Sequence, residues 1–103
     1  MDLRDASLFR EHNLVGGEWI DADGGATIAV DNPATLAIVG HVPSCGETET
    51  LRAIKAAEDC FATFRKTTAA HRADLLETWH ALILNAKDDL ATLMTLEQGK
   101  PLS

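Results

Sequence analysis

The sequence has 103 residues, 46% of them hydrophobic and 24% charged, with a formal net charge of −7 at pH 7. This length suits one small domain, and this balance suits a packed chain rather than a disordered one. Nine Lys and Arg stand scattered against sixteen Asp and Glu, so the average field repels nucleic acid and anionic membrane surfaces as partners.

No apolar run reaches the roughly 20 residues of a membrane span. The opening MDLRDASLFREHNL lacks the apolar stretch of a secretory signal, so we expect a cytoplasmic protein. The two cysteines, Cys45 and Cys60, allow at most one bridge, and in a cytosolic chain both are expected as thiols.

Six of the seven glycines and two of the three prolines fall at or before residue 46. Beyond it come helical patterns uninterrupted until Gly99. The fold class expected is α+β, with β-hairpins over residues 1–45 followed by three helices over 46–103.

Taken in order, NLVGGEWID (13–21) predicts a hairpin, with Gly16 and Gly17 supplying the positive φ angles of a tight turn. DADGGA (21–26) predicts a turn and TIAV (27–30) a strand with Ile28 and Val30 on one face. NPAT (32–35) predicts another turn, since Pro33 fixes φ and Asn32 can bond its own backbone. AIVGHV (37–42) predicts a strand ended by Pro43.

Ser44 and Glu47 have the spacing of a capping box, which places a helix start near Gly46. Leu51, Ile54, Ala57, Phe61 and Phe64 then recur at helical steps along one face. Thr68 can cap a second helix, whose apolar face is Leu75, Leu76, Trp79, Leu82, Ile83 and Ala86. A third, short helix starts near Asp88 and Asp89, whose charges suit an N-terminal dipole, and carries Leu90, Leu93, Met94 and Leu96. Gly99 suits its C-terminal end, and Pro101 suits the first turn of a following helix that the chain does not supply.

Candidate chemistry is sparse. Cys45 sits before a predicted helix start, where a thiol pKa can fall, but no partner base can be assigned to it. Cys60 beside Phe61 reads as a small buried hydrophobe. His12, His41, His71 and His80 contain no pair at i, i+4, the spacing of a helical zinc site. Glu77 and His80 form one Glu-x-x-His where a di-iron site needs two with two further glutamates. DADGG resembles a calcium loop, but Asn32 occupies its twelfth position. Trp19 and Trp79 fit strand and helix core faces. Arg72 beside His71 reads equally as a small positive spot or as a solvated first turn. Gly-x-Gly-x-x-Gly, a phosphate loop and a Gly-x-Ser-x-Gly elbow are all absent from the sequence. The residues alone therefore describe a scaffold without a complete active site.

The order of motifs carries more. LFREHNLVGGEWIDA (8–22), VDNPAT (30–35), IVGHVP (38–43), a helix, HRADLL (71–76) and DDLATLMTLEQGKPLS (88–103) follow one another. This succession resembles the N-terminal segment of the aldehyde dehydrogenase superfamily. LMTLEQGKPL (93–102) is most similar to its succinate-semialdehyde dehydrogenases.

The resemblance implies a Rossmann-like α/β enzyme of which residues 1–103 are an incomplete N-terminal portion of the cofactor-binding domain. It implies NAD or NADP as cofactor, a small aldehyde as substrate and a homo-oligomer. In the family a cysteine thiolate attacks the aldehyde, hydride passes to the nicotinamide, and a glutamate activates water to release the acid. Those two residues belong to Gly-Gln-x-Cys and Glu-Leu-Gly-Gly stretches that this sequence does not contain. Cys45 and Cys60 match neither, so this chain alone is expected to be inactive and to bind no cofactor. One role carries over. Family members bind a monovalent cation through carbonyls before the Asn-Pro turn and an acid before the GKP match, which here are Val30, Asp31 and Glu97. Oxygen ligands suit a hard cation. Two alternatives stay open: a dehydrogenase for another aldehyde, and a freestanding oligomeric interaction module without catalysis.

Overall fold

The N-terminal stretch takes its shape from Asp5, whose carboxylate accepts the N–H (3.0 Å) and hydroxyl (2.5 Å) of Ser7 and so starts a short 3-10 turn at Ala6–Leu8. The computed structural model describes residues 1–102. Strands β1 (Asn13–Val15) and β2 (Glu18–Ile20) then pair antiparallel, with Leu14 opposite Trp19. Gly16 and Gly17 make the turn at φ 58° and 81°, the left-handed region that a side chain disfavours.

A second hairpin joins β3 (Thr27–Asp31) to β4 (Ile38–Pro43). Its connection is the NPAT turn. Asn32 Oδ1 accepts the Ala34 N–H at 2.9 Å, and the Asn32 N–H donates to the Ala37 carbonyl at 2.8 Å. Val30 opposes Gly40 and Asp31 opposes Ile38, so Val39 is an extra residue and the ladder is irregular at the Val30–Asp31 step. The two hairpins remain separate two-stranded sheets.

Three helices follow: α1 (Glu47–Phe64), α2 (Ala69–Asn85) and α3 (Lys87–Gln98). The start of α1 differs in register from the Ser44–Glu47 box. The Ser44 N–H donates to the Ala26 carbonyl at 2.8 Å and so still belongs to the second hairpin. The N-cap falls instead on Gly46, and Glu49 at the third helical position accepts the Gly46 N–H at 3.2 Å. Thr68 caps α2 as expected, its hydroxyl accepting the His71 N–H at 3.1 Å. Gly99 closes α3 at φ 78°.

Burial departs from the sequence pattern. Ala22 is the one buried hydrophobic residue among those described, while Leu51, Ile54, Phe61, Leu76, Trp79 and Leu82 are all more than half exposed. Cys60, expected in a core, is exposed as well. Helix α1 meets the first hairpin through small residues, and a Cβ built on Gly16 would sit 3.6 Å, an ordinary contact distance, from the Ala56 Cβ.

The accessible surface is 7955 Å², against about 5,650 Å² for a folded monomer of 11.1 kDa. The radius of gyration is 16.7 Å, against about 13 Å for a packed chain of this length. The larger apolar side chains of α1 and α2 thus remain exposed among the described residues.

Candidate functional site

The sequence motifs VDNPAT and LEQGKP meet in space because α3 docks its C-terminal end on the β3–β4 connection. A Cβ on Gly99 would lie 3.1 Å from Pro33 Cγ, so a glycine allows this approach as well as the left-handed φ. The Gly99 N–H donates to the Thr95 carbonyl at 2.9 Å, and the Thr95 hydroxyl donates to the Lys100 carbonyl at 2.6 Å, which fixes the end of the helix.

The result is a crevice lined by Phe9, Glu11, Val30, Gly40, His41 and Glu97, with Arg10 at its side. Its volume of about 10 Å³ is room for one water-sized particle. Val30 and Glu97, assigned from the sequence to a cation, are therefore brought together. Asp31 is exposed and does not line the crevice. The Val30–Asp31 step is the point where the ladder is interrupted, which frees main-chain groups from regular pairing. Two exposed carboxylates, Glu11 and Glu97, thus stand beside Val30 in the crevice. A site of the His, Cys and carboxylate type is not present: no group of three or more such residues that could hold a metal ion occurs among the described residues.

The other wall of the crevice was not legible in the sequence. The Glu11 carboxylate accepts the His41 N–H of β4 at 2.9 Å, and a Cβ on Gly40 would come within 2.7 Å of Phe9 Cζ. Asp89, read from the sequence as a dipole charge, is buried. Its two oxygens accept the N–H groups of Arg4 and Asp5, each at 2.9 Å. Both carboxylates bind main-chain N–H groups distant in sequence, and no local spacing signals that.

A pyrophosphate docks on free N–H groups at a helix N-terminus. At α1 the first turn carries Glu47 and Glu49, and at α3 it carries Asp88 and Asp89, which disfavour an anion. The Glu49 carboxyl is held below the usual carboxylate range, first by its own N–H and then by that of Gly46, so it stays charged there.

The remaining candidates resolve as structure. Asn13 Nδ2 donates to the half-buried Cys45 Sγ at 3.3 Å. DADGG is a turn closed by the Gly25 N–H on the Ala22 carbonyl at 2.9 Å, and Asp23 is engaged by Arg52 at 2.5 Å. His12 pairs with Asp21 at 2.7 Å on the surface. His71, Glu77 and His80 lie exposed on α2, and the half-buried Arg72 turns back to the Thr67 carbonyl.

Residues 19–103 match the model of the aldehyde dehydrogenase family, and the chain belongs to that family. Among its relatives, a glutarate-semialdehyde dehydrogenase of Pseudomonas aeruginosa is 52% identical over 103 residues, covering 100% of this chain and 21% of its own length. The NADP+ succinate-semialdehyde dehydrogenase of Escherichia coli K12 is 48% identical, again over 100% of this chain and 21% of its own. The crystal structure of a succinate-semialdehyde dehydrogenase from Burkholderia pseudomallei superposes with a TM-score of 0.96 at 46% identity, covering 99% of this chain and 21% of that one. The chain thus spans about a fifth of the length of the relatives it matches, and its hairpins and helices correspond to the N-terminal part of aldehyde dehydrogenase structures.

Proposed function

We propose that this chain is the N-terminal portion of an NAD(P)-dependent semialdehyde dehydrogenase that oxidises succinate semialdehyde to succinate. The observation that carries the reading is the similarity over the whole chain to enzymes named for dicarboxylic semialdehydes, at 48–52% identity. Glutarate semialdehyde, one methylene longer, is the competing substrate, because the relative at 52% is named for it. The nicotinamide supplies a hydride acceptor when bound, and water supplies the second oxygen of the acid. In this reading residues 1–103 are the incomplete N-terminal portion of the cofactor-binding domain. They contribute no reacting group, and they shape the scaffold on which the cofactor half is built.

The same reading gives Val30 and Asp31, through their carbonyls, and Glu97, through its carboxylate, to a monovalent cation that neutralises charge where α3 meets β3. It also carries a homo-oligomeric assembly and a cytoplasmic setting. No described helix is long and apolar enough to cross a membrane.

The uncovered surface, about 2,300 Å² beyond that of a packed monomer, falls in the range of obligate interfaces and favours a second reading, a freestanding module that folds by self-association. Sequencing the coding region beyond Ser103 separates the two. Gly-Gln-x-Cys and Glu-Leu-Gly-Gly stretches in the same frame support the dehydrogenase. A stop codon there, with a cooperatively melting oligomer, overturns it.

A further inference from the structure

Strand β4 pairs with β3 along one edge, and its other edge meets no strand among the described residues. In an antiparallel pair, residues alternate between those bonded across the ladder and those whose N–H and carbonyl point away from it. His41 stands opposite Ala29, yet its N–H donates to the Glu11 carboxylate at 2.9 Å, so it belongs to the outward-pointing set. Pro43, opposite Thr27, belongs to the same set and has no N–H to offer. Open strand edges pair with other chains, and proteins close them with charged side chains, prolines or an overlying segment. All three occur here. Glu11 occupies the His41 N–H, Pro43 stands in the edge, and Phe9 lies against Gly40, where an added Cβ would come within 2.7 Å of Phe9 Cζ and 3.0 Å of Glu11 Oε2.

The segment that brings Phe9 and Glu11 to this edge is anchored at its far end by one side chain. The buried Asp89 of α3 accepts the Arg4 N–H through Oδ1 and the Asp5 N–H through Oδ2, each at 2.9 Å. Between anchor and edge, the Leu8 and Phe9 N–H groups donate to the Asp5 and Ala6 carbonyls, both at 3.2 Å, so the connection is a turn rather than a slack loop. Holding the segment at Asp89 raises the effective concentration of Glu11 at the His41 N–H, where it competes with water.

We propose that residues 4–11 are a built-in cover for the outer edge of β4, anchored by Asp89, and that this cover keeps a second copy of the chain from adding a strand there. With the cover released, His41 presents an outward N–H and carbonyl. Two copies then pair antiparallel about His41, each N–H donating to the carbonyl of the other. A second copy is the fitting occupant because IVGHV (38–42) carries no Asp, Glu, Lys or Arg, so the same strand meets itself without charge repulsion.

The test uses the 103-residue chain carrying Phe61→Glu and Leu82→Glu, which suppress association through the exposed helix faces. Amide hydrogen exchange at His41 reports the cover. The intermolecular strand band in the infrared amide region, followed over a concentration series, reports strand addition. In this background the His41 N–H is protected and the band is absent. Glu11→Ala takes the carboxylate from the edge, and Asp89→Asn presents one acceptor oxygen to the Arg4 and Asp5 N–H groups in place of two. Both are expected to exchange at His41 roughly tenfold faster and to show the band at high concentration. Asp89→Glu, which keeps both oxygens, restores part of the protection. His41→Pro added to Asp89→Asn removes the outward N–H while leaving the β3 ladder intact, and the band is expected to vanish.

Helical circular dichroism identifies a variant that has lost its fold, in which case the exposed Glu11 supplies the test. Unchanged His41 exchange in Glu11→Ala refutes the cover. Faster exchange there with no change in a folded Asp89→Asn refutes the anchor. Faster exchange without the intermolecular band overturns the block on strand addition, and a band that survives His41→Pro moves the pairing to another edge and overturns it as well.

Discussion

Gly99→Ala measures how much the meeting of α3 with the NPAT turn depends on one missing side chain. Gly99 has φ 78°, where an L side chain costs about 1 kcal/mol. The added methyl carbon would also stand 3.1 Å from Pro33 Cγ, tighter than ordinary van der Waals contact. Small overpacking of this kind adds about 1 kcal/mol when ring and helix end can shift by a few tenths of an ångström. The expected total, about 2 kcal/mol, corresponds to roughly 30-fold faster opening of the helix end. Amide hydrogen exchange at residue 99, whose N–H is bonded to the Thr95 carbonyl at 2.9 Å, reads that opening. Gly99→Asn separates the two parts, because asparagine tolerates the left-handed conformation yet still carries a Cβ. Protection should fall in the order glycine, asparagine, alanine. Equal protection in glycine and alanine, or alanine above asparagine, would refute the reasoning.

Thr68→Ala removes the hydroxyl that accepts the His71 N–H and should lower the stability of α2 by about 1 kcal/mol, seen as lost helical ellipticity in a urea titration. Glu49, whose folded pKa lies below its ordinary 4.5, gives a pH dependence of definite sign. Its contribution is complete above 4.5 and is lost as the pH falls through the lower folded value, so Glu49→Gln should flatten the acid limb of the helicity curve and leave the alkaline side unchanged. Paired changes Phe61→Glu and Leu82→Glu, at side chains 61% and 62% exposed, should reduce apolar-dye binding and the mass seen by light scattering while helicity is retained. Unchanged mass in that pair would place self-association elsewhere.

Local signals in the sequence were read well where the interaction is itself local. Gly16-Gly17, Asn32-Pro33, Thr68 and Gly99 each act on residues within four positions, and each does in the structure what its chemistry suggests. The α1 start falls near Gly46 as expected, but the capping pair is Gly46–Glu49 rather than Ser44–Glu47, because Ser44 is held by Ala26, a partner eighteen residues away that no capping pattern contains. Core assignments for Cys60, Trp19 and Trp79 failed for a related reason. Periodicity reports that a face is apolar, and says nothing about whether polypeptide lies against it. Of the crevice, Val30 and Glu97 were found through the order of motifs, whereas Glu11 and Asp89 bind main-chain N–H groups 30 and 85 residues away in sequence. Their role emerges only from the fold.

The claim that this chain heads a semialdehyde dehydrogenase is tested most directly by substitution into a relative. The matching first fifth of the Pseudomonas aeruginosa glutarate-semialdehyde dehydrogenase is replaced by residues 1–103, and reduced-nicotinamide formation is followed with succinate and glutarate semialdehydes. The account predicts a soluble chimera of the parent's oligomeric mass that turns over both substrates with the parent's preference, since the segment supplies scaffold and no reacting group. A chimera that assembles to that mass and yet oxidises neither semialdehyde would contradict it.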